Sequence, residues 1–384
     1  MKSVPITKPS ILHIIDTMGM GGAEKLMIGV VNGLPQFEHH VIYLYGSDAR
    51  IHSLPDFCKI QKLNCRSRFD VIRCTFQVKK YIKQHNIDVV HSHLLVATMI
   101  ARIACPRNVK LFTTIHSLPS KNYFADNWIA RWMEKLTYRK HHHIIAICEE
   151  VLKDYDQCVG LKGPYSILYN YVENIFYKTD YKRMNYNDSL NLVAVGNLRP
   201  PKNYSFLIEA FKYLPNNIHL DIYGAGPMKN ELEAAIEKNK VNIRLCGMRE
   251  DIYDILPRYD AFIMSSIYEG CPISLLEAMA GGMPAILSDI PVLREVTANK
   301  SIFFDINQTE DLVRKLKAIA KHEINLDEYA AANFERGKKI ARKENYLARL
   351  FKLYTAPEKN PLFQPVKSPD KIFNPVLPAP RPFR

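Results

Sequence analysis

The feature that most restricts the fold is an alternation of strand-like and helix-like segments that runs almost from end to end. Ile11–Ile15 reads as a short apolar strand, a glycine loop follows, and Ala23–Leu34 has helical spacing. His40–Leu44, Asp88–His91, Lys110–Ile115 and Ile144–Ile147 read as further strands. Between them, Val71–His85, Leu95–Cys105 and Phe124–His141 read as helices. Strands spaced by helices of this length pair in parallel, because each helix must carry the chain back across the sheet.

The alternation breaks at Ile167–Glu173 and an Asn/Tyr-rich polar stretch to Asn187, then resumes at Leu190–Val195. The second series holds strands at His219–Tyr223, Ile243–Leu245, Ala261–Met264 and Ala285–Leu287. Its helices fall at Tyr204–Tyr213, Met228–Lys238, Ile273–Ala280, Glu310–Lys321 and Leu326–Lys338, with a short one from Asp251. The expected class is α/β: two tandem Rossmann-like, doubly wound parallel-sheet domains facing a cleft. A chain of 384 residues suits two cores. The expected boundaries are 1–170 for an N-terminal domain and 171–342 for a C-terminal one. A helix over 343–355 is expected to return to the first domain. From 356 to 384 recurring prolines exclude helix and central strand, leaving a tail expected to be either disordered or extended and clipped onto the body at Phe363 and Phe373.

Charge separates the halves. Residues 1–170 carry 22 Lys/Arg against 13 Asp/Glu, while residues 171–355 carry 25 against 24. A basic first half implies an anionic partner. No nucleic-acid module accompanies it, so an anionic membrane surface or a phosphate-bearing acceptor is expected, not nucleic acid. No apolar run approaches the roughly 18 residues that span a bilayer. The opening run Ile11–Ile15 contains His13 and ends at Asp16, unlike a secretory signal. Eight cysteines without a CxxC pair read as reduced thiols of a cytoplasmic protein.

Chemistry concentrates at strand ends. After Ala261–Met264 come Ser265, Ser266 and a loop with Glu269 and Gly270; then Ile273 opens a helix that holds Glu277. The helix start offers free N–H groups and a positive dipole end, an anion site. Two carboxylates flanking it suit the hydroxyl-rich rings on either side of a diphosphate, that is, a nucleotide sugar. Arg199 and Lys202, in the loop after Leu190–Val195, stand where the diphosphate would lie. The turns with Gly224 and Gly226 and with Gly247, Met248 and Arg249 suit close backbone approach to a base or phosphate. The loop with Gly19, Gly21 and Gly22 resembles a dinucleotide fingerprint, but Glu24 stands where its third glycine would be.

Together these motifs resemble the retaining, GT-B-fold glycosyltransferases of family 4, over about residues 10–355. The resemblance rests on Gly21-Gly22-Ala23-Glu24, the His116 turn, Gly196…Lys202, Gly224-Ala225-Gly226-Pro227 and Glu269…Glu277. It implies that Glu277 holds the ribose hydroxyls and that Glu269 lies near the transferred sugar. It implies that N–H groups of Ile273, Ser274 and Leu275 bind the diphosphate with Lys202, and that His116 faces the sugar from the first domain. His116, Glu269 and Lys202 are then the catalytic set. Gly21, Gly22, Asn197, Arg199, Gly224, Gly226, Met248, Arg249 and Gly270 complete the donor site. One departure stands out: Asn197 occupies a position where the family often has Arg, and Arg199 is the candidate substitute. Neither metal nor other cofactor is expected, since cationic side chains and N–H groups can stabilise the leaving diphosphate. The Asp154-Tyr155-Asp156 sequence therefore reads as helix surface, not as a metal site.

The expected activity is transfer of a sugar, from a donor that is UDP-linked in many such relatives, to a glycan or lipid-linked saccharide with retention of configuration. A role in cell-surface polysaccharide synthesis follows from that acceptor. The alternatives are a non-catalytic sugar-nucleotide-binding protein and a GT-B epimerase. The Phe124–His141 segment interleaves Trp128 and Trp132 with Lys135 and Arg139, the composition of a helix lying on an anionic membrane. A peripheral location on the inner face of the cell membrane is the corresponding expectation. His91 and His93 are expected either at the cleft or as satisfied buried histidines, and His141–His143 are expected to close a helix.

Overall fold

The computed structural model describes residues 8–67, 69–177 and 189–356. The Pro-rich tail with Phe363 and Phe373 and most of the polar stretch to Asn187 lie outside the described residues. The first unit runs β1 (Ser10–Ile15), α1 (Gly22–Gly33), β2 (Glu38–Tyr43), β3 (Lys59–Lys62), α2 (Asp70–Gln84) and β4 (Val89–His93). It continues with α3 (Leu95–Ala104), β5 (Lys110–Ile115), α4 (Trp128–Thr137), β6 (His143–Ala146), α5 (Glu149–Val159) and β7 (Tyr165–Ile167). Its strands form one parallel sheet in the order β3-β2-β1-β4-β5-β6-β7.

The second unit runs β8 (Leu190–Val195), α6 (Tyr204–Phe211), β9 (Ile218–Tyr223), α7 (Lys229–Asn239), β10 (Ile243–Gly247), α8 (Ile252–Ile255) and β11 (Ala261–Met264). Then come α9 (Ile273–Ala280), β12 (Ala285–Ser288), α10 (Pro291–Thr297), β13 (Ile302–Phe304), α11 (Thr309–Ala320) and α12 (Leu326–Ile340). Its sheet is also parallel, ordered β10-β9-β8-β11-β12-β13. In both sheets the order reverses beside the first strand of the unit, the switch point where ligands of doubly wound sheets bind.

The last helix, α13 (Lys343–Thr355), packs on the first unit as expected. Its Leu350, Leu353 and Tyr354 share an apolar cluster with Leu26 and Val30 of α1. Lys110 Nζ donates to the carbonyls of Tyr354 (2.7 Å) and Ala356 (2.9 Å). The crossings between units meet: Val172 N donates to Ala341 O at 2.9 Å, and Val172 pairs with Arg342. A second apolar cluster joins Ile147 and Val151 to Leu275, Leu276 and Val292, so the two units are in contact.

Two sequence expectations need correction. The Trp helix is shorter than 124–141: α4 starts at Trp128, where Asn127 Oδ1 accepts from Ala130 N at 2.9 Å, and ends when Tyr138 turns to extended backbone. His141–His143 do not close a helix. His143 opens β6 opposite Phe112, because the β-branched Ile144 and Ile145 extend into the sheet. Among the described residues no helix is long and apolar enough to cross a membrane.

Candidate active site

The site is built where the carboxyl ends of the two sheets face each other. From the second unit, β11 delivers Ser265 and Ser266, then the loop with Glu269, then α9. Pro272 sits before α9 with extended backbone, and no side chain caps the helix, so the first-turn amides keep no side-chain acceptor. Glu269 is mostly buried. Its Oε1 accepts from Lys202 Nζ at 2.6 Å and from Ser266 Oγ at 2.6 Å. Glu277 is buried on α9, and its Oε1 accepts from Lys25 Nζ of the first unit at 2.9 Å. Burial raises the Glu277 pKa above the ordinary carboxylate range, and the Lys25 ammonium opposes that rise.

The Glu269 loop is fastened to the first unit. Cys148 Sγ donates to Gly270 O at 3.2 Å, and Asn170 Nδ2 donates to Cys271 O at 2.8 Å. A Cβ on Gly270 would stand 2.7 Å from His116 O and 3.1 Å from Ser117 Cα, so this loop lies directly against the His116 turn. A Cβ on Gly22 would stand 3.2 Å from Ile273 Cδ1, which puts the first glycine loop over the start of α9. On α5, the Glu149 and Glu150 amides donate to Glu295 at 2.7 and 2.9 Å, and Tyr169 OH donates to it at 2.6 Å.

His116 follows β5 and is partly buried, and burial holds its pKa down to about 4. Its Nε2 lies 3.1 Å from Nδ1 of His93, which ends the neighbouring strand β4. His93 and His91 are buried within the first unit, so they back the site and do not line the cleft. His13, His91 and His93 bring one ring nitrogen each within 4.8 Å of one another. His91, however, spends Nδ1 on Tyr354 OH at 2.5 Å and Nε2 on Thr114 Oγ1 at 2.7 Å. The cluster contains no carboxylate to offset a cation's charge.

The other expected donor residues fall into two groups. Gly196, Asn197, Arg199 and Lys202 form the loop after β8, with Asn197 and Arg199 exposed. Gly224 and Gly226 follow β9, and their first task is to let two loops cross. A Cβ on Gly224 would stand 1.9 Å from Gly196 O, and one on Gly226 would stand 2.4 Å from Leu198 O. The turn after β10 is engaged in itself: Arg249 forks onto Asp251 at 2.8 and 2.6 Å, and Met248 is exposed. In α5, Asp154 accepts from Ser120 N of the segment after β5 at 2.9 Å and Asp156 from Leu161 N at 2.7 Å, so both carboxylates bind backbone amides.

Sequence reasoning missed Lys25, Ser266 and the His93 contact. Ser266 lies three residues before Glu269 and was readable as a strand-end hydroxyl. Lys25 lies 252 residues from Glu277, and no local pattern announces such a pair.

The comparisons agree on one family. The model described as "Glycosyltransferase Family 4" matches residues 20–174, and "Glycosyl transferases group 1" matches residues 180–337. The Escherichia coli UDP-Gal:alpha-D-GlcNAc-diphosphoundecaprenol alpha-1,3-galactosyltransferase is 27% identical over 272 residues, 64% of this chain and 69% of that protein. A Campylobacter jejuni N-acetylgalactosamine-N,N'-diacetylbacillosaminyl-diphospho-undecaprenol 4-alpha-N-acetylgalactosaminyltransferase is 26% identical over 294 residues, 72% of this chain and 79% of that protein. Among solved structures, Anabaena HepE in complex with UDP superposes with a TM-score of 0.75 at 15% identity, covering 91% of this chain and 100% of that one. At that identity the likeness speaks for the fold.

Proposed function

Since the chain belongs to the group 1, family 4 glycosyltransferases and has the GT-B fold, we propose that it moves a sugar from UDP to a lipid-linked saccharide with retention of configuration. The observation that carries this reading is the pairing of each acid with a lysine at the mouth of α9. Glu269 is held by Lys202 and Ser266, Glu277 is held by Lys25, and the uncapped start of α9 lies between the two acids. A nucleotide sugar fits that order of groups. Its diphosphate takes the helix start and Lys202, its ribose takes Glu277, and its sugar lies at Glu269 under His116. UDP and the lipid-linked acceptor are supported by the two relatives named above: both carry a diphosphoundecaprenol-linked saccharide in their names, and one of them names UDP-galactose.

In the mechanism we favour, the bond between the anomeric carbon and the diphosphate oxygen stretches first, giving an oxocarbenium-like transition state. The acceptor hydroxyl oxygen then bonds the same face of that carbon. Its proton passes to the departing phosphate oxygen, and UDP leaves. Lys202 and the α9 amides stabilise charge as it builds on the diphosphate, so no metal is required in this scheme. Glu269 orients the sugar and offsets developing positive charge.

The acceptor side of the reading rests on the first unit. Trp128 is 74% exposed and Trp132 56% exposed, beside exposed Lys135 on α4 and exposed Arg139 just beyond its end. Phe69, Ile72 and Phe76 at the start of α2 and Ile103 on α3 are exposed too, and α3 packs against both α2 and α4. An apolar and basic helix layer of this kind suits an anionic membrane surface carrying the acceptor. This corresponds to a peripheral enzyme on the cytoplasmic side, in surface-polysaccharide synthesis.

The decisive experiment incubates the full chain with UDP-, GDP- and ADP-sugars, with and without lipid extract. The expected result is UDP release that depends on lipid acceptor, with the anomeric configuration retained in the product. Tight nucleotide binding without turnover on any donor would favour a sugar-nucleotide-binding protein instead, a reading to which Asn197 lends its only support.

A further inference from the structure

We propose that His93 is a positioning residue for His116: its Nδ1–H donates to His116 Nε2 and fixes His116 as the Nδ1–H tautomer. His116 then meets the sugar or acceptor as a hydrogen-bond donor, not as a base. The inference deepens the glycosyltransferase reading and rests on it for the identity of what His116 meets.

The geometry comes from strand pairing. His93 ends β4 opposite Thr114 of β5, and His116 stands two residues further on, so the two rings come together at the sheet's carboxyl edge. Their centroids are 5.3 Å apart at 37°, and Nδ1 of His93 lies 3.1 Å from Nε2 of His116. Both rings are neutral, since burial lowers both pKa values. Two neutral imidazoles in hydrogen-bond contact place one proton between them.

The direction of that bond follows from the far nitrogen of His93. Its Nε2 is buried and has no hydrogen-bond partner among the described residues. A neutral ring carries one N–H proton. Placed on Nε2, it would leave a buried donor unpaired; placed on Nδ1, it leaves only a lone pair unpaired. Orphaned buried N–H groups are the rarer and costlier case. The proton therefore sits on Nδ1 of His93, His116 Nε2 accepts it, and the proton of His116 is on its own Nδ1.

Behind His93 the ring of His91 lies 4.2 Å away, centroid to centroid, itself pinned by Tyr354 and Thr114. That packing fixes the rotation of His93. A fixed donor places the His116 proton before any ligand arrives.

The test uses the full chain with nitrogen-15-labelled histidine. Long-range proton–nitrogen NMR reads each ring's tautomer, and His116→Gln identifies the His116 signals. The expected wild-type pattern is Nδ1–H for His116. In His93→Phe, which keeps a ring and loses the donor, His116 is expected to become a tautomer mixture. His93→Asn, whose amide nitrogen stands near the place of Nδ1, is expected to restore it. In turnover, His93→Phe should lower kcat about 10–100-fold with donor KM within about twofold, and His93→Asn should recover most of that loss. An Nε2–H pattern for wild-type His116, or equal behaviour of the Phe and Asn variants, would overturn the assignment. If His93→Phe does not fold, the wild-type spectrum alone decides. Because NMR needs no turnover, a chain inactive on every donor would sink the transferase reading and leave the tautomer question answered.

Discussion

Gly270 shows how much rests on the absence of one side chain. It separates Glu269 from the anchor at Cys271, and its Cα faces the His116 carbonyl of the opposite unit. Backbone cannot yield as a flexible side chain can, so Gly270→Ala is expected to force the units apart. Small-angle scattering should show a larger radius of gyration, and kcat should fall by at least about tenfold, as a misplacement near 1 Å can cost more than that. Lys202 and Glu277 predict different kinetics. Lys202→Ala should lower kcat by roughly 10²–10³ through loss of diphosphate stabilisation, whereas Glu277→Gln should mainly raise donor KM. Identical kinetics in both variants would place the donor elsewhere. The carboxylates were legible because their loop and helix context is local in sequence. Lys202 was legible too, as a strand-end loop cation, but its pairing with Glu269 was not, nor was Lys25, since both reach the acids only once the chain has folded.

At the scale of elements, nearly every strand and helix of the two series is where the alternation put it, and α9 spans Ile273–Ala280 as read. Short edge strands were missed: β3, β7 and β13 have four, three and three residues, too few for a periodic signal. The Trp segment was overread because a basic, aromatic stretch keeps helical spacing through a loop and into β6. Its trimmed version makes the sharper prediction. On α4 the buried residues are Ala130, Glu134 and Thr137, with Glu134 accepting from Arg102 at 2.6 Å and from Tyr155 at 2.8 Å. The tryptophans face outward, free of the core. Replacing Trp128 and Trp132 together by Ala should leave the melting temperature nearly unchanged and sharply reduce flotation with anionic vesicles. Flotation equal to wild type would remove α4 from the membrane reading.

For the whole molecule, the buried histidines of the first unit set a pH limit on stability. His91 and His143 are held down to about 3 and His40 to about 4, burial being the first cause in each. A histidine whose folded pKa lies below its unfolded value of about 6.5 contributes stability above that value and loses it as pH falls toward the folded one. For His91 alone the loss near pH 5 is about 2 kcal/mol. Asp16, pushed up to about 6 by burial, works in the opposite sense over part of this window, as do Glu149, Asp260 and Glu277, which burial also raises, but the lowered histidines, His13, His39, His93, His116 and His142 among them, outnumber these carboxyls. Thermal melts should therefore fall by several degrees between about pH 7.5 and pH 5. A flat profile would mean these rings are already hydrated. The histidines of the first half were visible in the sequence; that His13, His91 and His143 share one sheet face, with His40 on the other beside Leu12, followed only from the strand register.

The pairing of Val172 with Ala341 and Arg342 has a mechanical consequence. The chain passes between the units at two places, and those places are hydrogen-bonded neighbours. Two well-separated tethers would brace the halves against bending, whereas two adjacent ones act as a single pivot. Any widening of the cleft that keeps this pairing is confined to a swing about it. The Lys25–Glu277 ion pair is one of several contacts, with Cys148 to Gly270 and Asn170 to Cys271, that such a swing would have to strain.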